Sequence, residues 1–293
     1  MESVKDLIVD VSTTEVSIAL MENHRLIELN KESSQGHSFS VGDVYLGKVK
    51  KILPALNAAF VDIGDEKQAF VHYLDLGLYF EAFDEFVRRM NPNTDAKGIY
   101  KHIKPGHILE KEGRIENVLT PGQMIIVQIV KEPISTKGSR LTAEISLAGR
   151  NIVLLPFAEK VSVSQKISSK EEKRRLETLV RSILPKNYGA IIRTAAEGKN
   201  AAVLDAEVMS LIEKWENSWK KLAKSKDVQL LFTEYSKTTT ILRDLLVVHI
   251  DVCERIVEKV SEDCRGLAVL CEEQLHILGL GQLFPGILPF LDE

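Results

Sequence analysis

Asn57-Ala58-Ala59-Phe60-Val61-Asp62-Ile63-Gly64, followed by Gln68-Ala69-Phe70-Val71, is the stretch whose reading decides this chain. Its two phenylalanines face each other in sequence across a Gly/Asp turn, and short apolar runs carry them. A basic, strand-like run precedes them, Val44-Tyr45-Leu46-Gly47-Lys48-Val49-Lys50-Lys51-Ile52-Leu53. Runs of this kind, punctuated by turn residues, read as β-strands. Two aromatic rings on neighbouring strands beside Lys48, Lys50 and Lys51 make a stacking platform edged by positive charge. Single-stranded nucleic acid, and RNA in particular, suits that platform, because every base has a π face and every nucleotide carries a phosphate.

Strands are expected over 43–53, 57–63, 67–72, 122–131 and 139–145. Five short strands with glycine turns suit an OB-type barrel filling residues 38–145. A long polar insert, about 78–118, separates the third strand from the fourth. It contains Asn91-Pro92-Asn93-Thr94-Asp95 and a basic stretch from Lys97 to Lys104. The insert is read as a loop, either disordered or a flexible lid over bound RNA. Upstream, residues 1–37 hold three apolar runs separated by polar breaks, which read as a small antiparallel meander. Three strands bury too little on their own, so the meander needs a partner later in the chain.

Residues 146–226 read as α/β. Asn151-Ile152-Val153-Leu154-Leu155 is strand-like, and Ser168-Ser169-Lys170-Glu171-Glu172 opens a helix with a cap and an early acid. Gly189-Ala190-Ile191-Ile192 is a second strand. Leu204, Val208, Leu211, Ile212, Trp215, Trp219 and Leu222 recur at helical spacing, which places both tryptophans in a core. From Asp227 a strand over 228–232 and a helix over 236–250 are expected, followed by an apolar, glycine-punctuated tail.

Bulk composition bounds the class. The chain has 293 residues, of which 44% are hydrophobic and 27% charged, as in ordinary globular proteins. It contains no apolar run of about 18 residues, so no membrane span is expected. The N-terminus lacks a signal-peptide pattern, which makes the cytoplasm the default location. A net charge of −4 argues against coating nucleic acid by charge alone, but not against a local basic surface. Cys253, Cys264 and Cys271 form no C-x-x-C pair, so neither a disulfide framework nor a four-cysteine zinc site is expected.

Four segments together resemble the ribonuclease E/G family of bacterial endoribonucleases. They are Gly42 to Val49, Asn57 to Gly64, Ile145-Ser146-Leu147-Ala148-Gly149-Arg150 and Ile192-Arg193-Thr194-Ala195-Ala196-Glu197-Gly198-Lys199. The resemblance covers about residues 3–246. It implies an α+β protein of several subdomains. An OB-type barrel of the S-one class (38–145) would be inserted into a split ribonuclease-H-like subdomain (1–37 and 227–293), with an α/β 5′-phosphate sensor subdomain at 146–226. It also implies RNA processing and decay as the role, single-stranded RNA with a 5′ monophosphate as partner, magnesium as cofactor, and association of copies into a homo-oligomer.

By the same resemblance, Phe60, Phe70 and Lys137 hold the RNA strand, and Gly149, Val153, Arg193 and Thr194 form the 5′-phosphate pocket. The chemistry agrees. Stacked rings contribute roughly 1–3 kcal/mol per base, and a guanidinium grips phosphate oxygens as a fork. Other readings stay open: rings filling the barrel interior, Lys137 as a solvated loop lysine, and Arg193 in a surface ion pair.

The family pattern fades after about Leu246, and its Asp-x-Asn strand motif for magnesium is not found. Asp251, Glu254, Glu258, Glu262, Asp263, Glu272, Glu273, Asp292 and Glu293 do not reproduce its context. No catalytic or metal-binding residue is therefore assigned, and the chain is expected to stop short of the magnesium site through truncation, divergence or a change of reading frame. Two further functions compete with an endoribonuclease: a non-catalytic RNA-binding module or regulator, and a structural protein whose barrel packs on a protein partner.

Overall fold

The computed structural model describes residues 5–11, 15–23, 25–33, 39–104, 109–233, 266–271 and 275–278. The chain divides into two compact units, one formed by Met1–His37 with Tyr235–Glu293 and the other by Ser38–Glu234. The N-terminal strands β1 (Lys5–Val11), β2 (Glu15–Glu22) and β3 (Arg25–Ser33) pair antiparallel as a meander.

The second unit opens with a closed barrel. Its strands are β4 (Val44–Leu53), β5 (Ala58–Asp62), β6 (Ala69–His72), β7 (Met124–Lys131) and β8 (Arg140–Thr142). Sheet order β4-β5-β6-β8-β7 returns to β4 through a β4–β7 pairing, which consistently fits an OB-type barrel. Alternation fills the interior: Tyr45, Val49, Ala59, Val61, Ala69, Val71, Ile125, Val127, Ile129 and Leu141 form one buried cluster.

The outside of the barrel is half covered. Val44, Leu46 and Ile126 belong to a second core, shared with the insert and with the α/β layer. The insert is not a loop. It forms α1 (Phe80–Arg89) and α2 (Ala96–His102), which corrects the expected disorder or lid. Ala82, Phe83 and Phe86 on α1 are buried in that second core, where Phe86 meets Tyr100, Phe157 and Trp219 with ring centroids 5.4–5.8 Å apart. The Tyr100 hydroxyl donates to the Asn187 carbonyl (2.8 Å) and accepts from the Phe157 amide (3.1 Å). The far end of the insert is pinned to the barrel by Asn57, whose amide donates to the Gly113 carbonyl and whose side-chain oxygen accepts from the Ile115 amide.

The α/β layer holds β9 (Leu147–Ala148), β10 (Ile152–Pro156), β11 (Val161–Val163), α3 (Lys170–Ile183), β12 (Tyr188–Ile192) and α4 (Ala201–Lys224). Its sheet order is β11-β12-β10-β9. Ser169 caps α3 by accepting from the Glu172 amide, as the Ser-Ser-Lys-Glu-Glu pattern suggests. Trp215 and Trp219 are core residues on α4.

β13 (Gln229–Phe232) pairs antiparallel with β4. The boundary expected at 227 therefore differs from the one found, since this strand belongs with the barrel-bearing unit, which runs to Glu234. β14 (Gly266–Cys271) pairs with β1, and β15 (Leu275–Leu278) with β14, giving the sheet order β15-β14-β1-β2-β3. The helix expected over 236–250 lies outside the described residues.

Phe86 is fully buried among aromatic rings of three other segments, so Phe86→Ala should lower stability by about 3–5 kcal/mol. Urea unfolding followed by tryptophan fluorescence checks this. A loss under 1 kcal/mol would contradict the insert's place in the core.

Candidate nucleic-acid interface

Phe60 and Phe70 are directly paired across β5 and β6, with ring centroids 6.3 Å apart and planes at 68°. Their sequence neighbours Ala59, Val61, Ala69 and Val71 are fully buried inside the barrel. Both rings therefore point outward, half-buried, and do not fill the interior. The register extends this row on both sides: Lys51 pairs with Phe60, Phe70 with Arg140, and Arg140 with Lys131. Each barrel strand thus contributes one residue to a belt with aromatic rings at its centre and cations at its ends.

Lys51 reaches the belt because of a bulge. Register shifts between Val49 and Lys51, so the chain gains one residue and Lys51 lines up with Phe60 while Ile52 turns back to Ala59. The three lysines named from sequence have different roles. Lys50 forms an ion pair with Asp62 (2.9 Å), and that partner holds the Asp62 carboxyl below its usual range. Lys48 pairs with Asp62 in the β4–β5 register.

Lys137 is exposed in a tight turn closed by mutual backbone bonds with Ile134 (2.9 and 3.0 Å). The next residue must be glycine. A Cβ on Gly138 would fall 2.6 Å from the Gln68 carbonyl carbon, so the turn lies flat against the entry to β6, just before Phe70. The Phe70 amide then donates to the Ser139 carbonyl (2.8 Å).

Gly149, Val153, Arg193 and Thr194 also come together. Arg193 Nη1 donates to the Gly149 carbonyl (2.7 Å), and the Arg193 amide donates to the Asn151 carbonyl (2.8 Å). Val153 pairs with Ile191, and with Ile152 and Leu154 fully buried it lies on the opposite, open face of the sheet. Thr194 is exposed at the start of the short turn Thr194–Ala196. The Gly149 backbone carbonyl thus orients the Arg193 guanidinium.

Sequence reasoning missed Glu207 on α4. This carboxylate is 9% exposed and accepts from the Asn151 amide (3.0 and 3.2 Å) and its side-chain amide (2.8 Å). A signal existed, since Glu207 interrupts the apolar stripe between Leu204 and Val208. Sequence reasoning also missed Glu172, which accepts a two-pronged bond from Arg175 (both 2.7 Å) and one from the Gly198 amide (2.8 Å). Arg175 also donates to the Lys199 carbonyl (3.0 Å), so α3 braces the loop that follows Arg193 and Thr194.

Among the described residues, no group of three or more His, Cys, Asp or Glu could hold a metal ion. Those residues do not fit a magnesium site, and the carboxylates of 251–293 named from sequence lie outside them. No helix among the described residues is long and apolar enough to cross a membrane.

The fold is therefore that of a mixed α+β protein in which a closed five-stranded barrel is joined to an α/β layer. Its sequence matches the model of the ribonuclease E/G family over residues 146–273. It is 34% identical to ribonuclease G of Haemophilus influenzae and 32% identical to ribonuclease G of Escherichia coli K12, each over 246 residues. Those alignments cover 84% of this chain and 46% of each relative. Ribonuclease E of a Nostoc species is 32% identical over 236 residues, 78% of this chain and 30% of that protein. The chain belongs to the ribonuclease E/G family. It spans less than half the length of these relatives. The family match runs on to residue 273, past the point near Leu246 where the pattern was expected to fade.

The Arg175 fork, and after it the Gly198 amide, pull the Glu172 carboxyl from its ordinary value of 4.5 down to about 2. Its contribution to stability is therefore complete above about pH 4.5 and fades as pH falls towards 2. Carboxyl carbon NMR should show Glu172 titrating near the lower value, and Arg175→Ala should move the midpoint up. A midpoint already near 4.5 in the unaltered protein would contradict the brace.

Proposed function

We propose that this chain is the recognition part of a ribonuclease E/G-type endoribonuclease of RNA processing and decay. It binds single-stranded RNA along the barrel belt and senses a 5′ monophosphate beside Arg193. The observation that carries this reading is the outward Phe60–Phe70 pair, half-buried and flanked along one register row by Lys51, Arg140 and Lys131. Rings in such a position can each receive a base, and Lys137, on the turn held against β6, supplies charge to a phosphate.

The sensor reading draws on the fixed guanidinium. The bond to the Gly149 carbonyl sets the plane of Arg193, so that its fork meets phosphate oxygens without first being ordered. The Thr194 hydroxyl adds a donor next to it, and Val153 lines the open face. A small site of this kind suits a terminal monophosphate better than a triphosphate. The subdomain scheme is supported by the sequence order of the two units. The barrel-bearing unit interrupts the other, whose β1 pairs with β14 from the far side of the interruption, as a split ribonuclease-H-like subdomain requires.

Magnesium-dependent hydrolysis is the activity this family membership implies for the whole protein. No described residue group fits the ion, so no hydrolytic step is assigned here to a side chain.

Two substitutions separate the two contacts. Phe60→Ala should weaken binding of 5′-monophosphorylated and 5′-hydroxylated single-stranded RNA alike, by roughly 1–3 kcal/mol. Arg193→Ala should abolish the preference between those ends while leaving the affinity for hydroxylated RNA in place. Fluorescence anisotropy with matched oligonucleotides reads both. An unchanged preference in Arg193→Ala would remove the sensor assignment, and unchanged affinity in Phe60→Ala would remove the platform.

A further inference from the structure

Arg140 stands next to Phe70 in the belt, yet it differs from the two lysines at the belt's ends. Its Nε and Nη2 donate to the two carboxylate oxygens of Asp75, at 3.0 and 3.1 Å. Asp75 is itself held in place, because its carbonyl accepts from the Thr142 hydroxyl (2.7 Å) and the Ala143 amide (2.8 Å). The flanking residues Ser139 and Leu141 are fully buried, which fixes the backbone of Arg140 on the barrel wall with its side chain outward and 48% exposed.

This pairing changes what Arg140 offers a ligand. A free guanidinium is a phosphate fork. Here one edge of the fork is spent on a carboxylate, and the local charge is balanced. The side chain is 48% exposed, which leaves the flat face of the group, beside its Nη1 edge, for a ligand. Guanidinium planes stack on bases as aromatic rings do, and ordering by a carboxylate removes the entropy that a mobile arginine would lose. An exposed ion pair of this kind adds little to stability, so its geometry is more informative than its energy.

We propose that Arg140, oriented by Asp75, is a third stacking surface beside Phe60 and Phe70, so that the barrel face takes three consecutive nucleotides of single-stranded RNA. This rests on the platform reading of the barrel. Neighbouring strands lie about 4.8 Å apart, so one position along the row is one strand further, a step that an extended strand of bases can follow.

The test measures binding of 5′-hydroxylated di-, tri- and tetra-adenylates by NMR titration, which keeps the 5′ pocket out of the comparison. In the unaltered protein the third nucleotide should tighten binding at least about fivefold, as one more stacked base does. Arg140→Ala should remove that step and preserve dinucleotide affinity. Arg140→Lys should not restore it, and Asp75→Asn should diminish it. The salt dependence of trinucleotide binding should be the same with and without Arg140, since a stack neutralises no phosphate.

Three results would overturn the proposal. One is an intact third-nucleotide step in Arg140→Ala. Another is rescue by lysine with a log–log salt slope shallower by about 0.7 in Arg140→Ala, the mark of a phosphate contact. The third is loss of dinucleotide binding along with the step, which would make Arg140 part of the barrel's framework. Failure of the platform reading itself looks different, because Phe60→Ala would then leave dinucleotide affinity unchanged.

Discussion

A single buried carboxylate, Glu207, governs the geometry of the α/β layer's proposed pocket. A carboxylate taken away from water is costly to bury unless its oxygens are bonded, and here two donors of Asn151, its backbone and side-chain amides, meet them in three contacts. The arrangement reaches outward in steps. The apolar stripe of α4 buries the helix and brings Glu207 to the turn between β9 and β10. That turn places the Asn151 carbonyl for the Arg193 amide and the Gly149 carbonyl for the Arg193 guanidinium. Gly149 is required for contact rather than for unusual torsion. A Cβ there would run into the Glu207 carboxylate and come within 2.7 Å of the Ile152 carbonyl oxygen. Removing either partner leaves the other with nothing to fit against, so the two positions are coupled as a unit.

The barrel solves a different problem, that of keeping one part of its outer wall open. The first half of β4 is buried on both sides, with Tyr45 turned to the interior and Val44 and Leu46 to the outer core. Its second half is open, and the bulge at Lys50 marks the change. Helix α1 covers only the first region. Gln128 then closes the covered side, donating to the Gly42 and Ser146 carbonyls and accepting from the Ser146 amide, so that a buried amide is fully used where the barrel meets the α/β layer. The open side keeps apolar rings at the surface, which costs free energy in the free protein unless a ligand covers them.

Much of this was legible from alternation and turns. The barrel strands fall within two residues of their expected starts, and Phe60 and Phe70 could be named because an outward ring on a strand between buried alanines and valines is a readable departure from alternation. The insert was misread for a physical reason. Phe80, Phe83 and Phe86 are spaced as one helix face, but Glu81, Asp84, Glu85, Arg88 and Arg89 around them and the Asn91-Pro92-Asn93 break give the segment the polar look of a loop. Its helicity depends on a tertiary partner, the aromatic cluster of Tyr100, Phe157 and Trp219, and no local pattern announces that. Glu207 was hidden likewise, because a charge inside an apolar stripe acquires meaning only when its acceptors are matched to Asn151, 56 residues earlier. β13 was legible as a strand, but its partner was not, since pairing with β4 links segments far apart in sequence.

The two proposed contact regions ask for different physics, and the fold supplies each where it is cheap to build. A stacking surface needs rings held at a fixed spacing but tolerates any base, and cross-strand pairing in a closed barrel sets that spacing without further support. An end-reading pocket needs a cation whose direction is fixed to a fraction of an ångström. That demands a second layer of bonds: Glu207 behind the turn, the Gly149 carbonyl on the guanidinium, and Glu172 with Arg175 bracing the loop after Thr194. The density of these supports follows the precision required. Beside Phe60 and Phe70 the Asp75–Arg140 pair is a support of this kind, a flexible cationic side chain held in one orientation by a two-pronged bond.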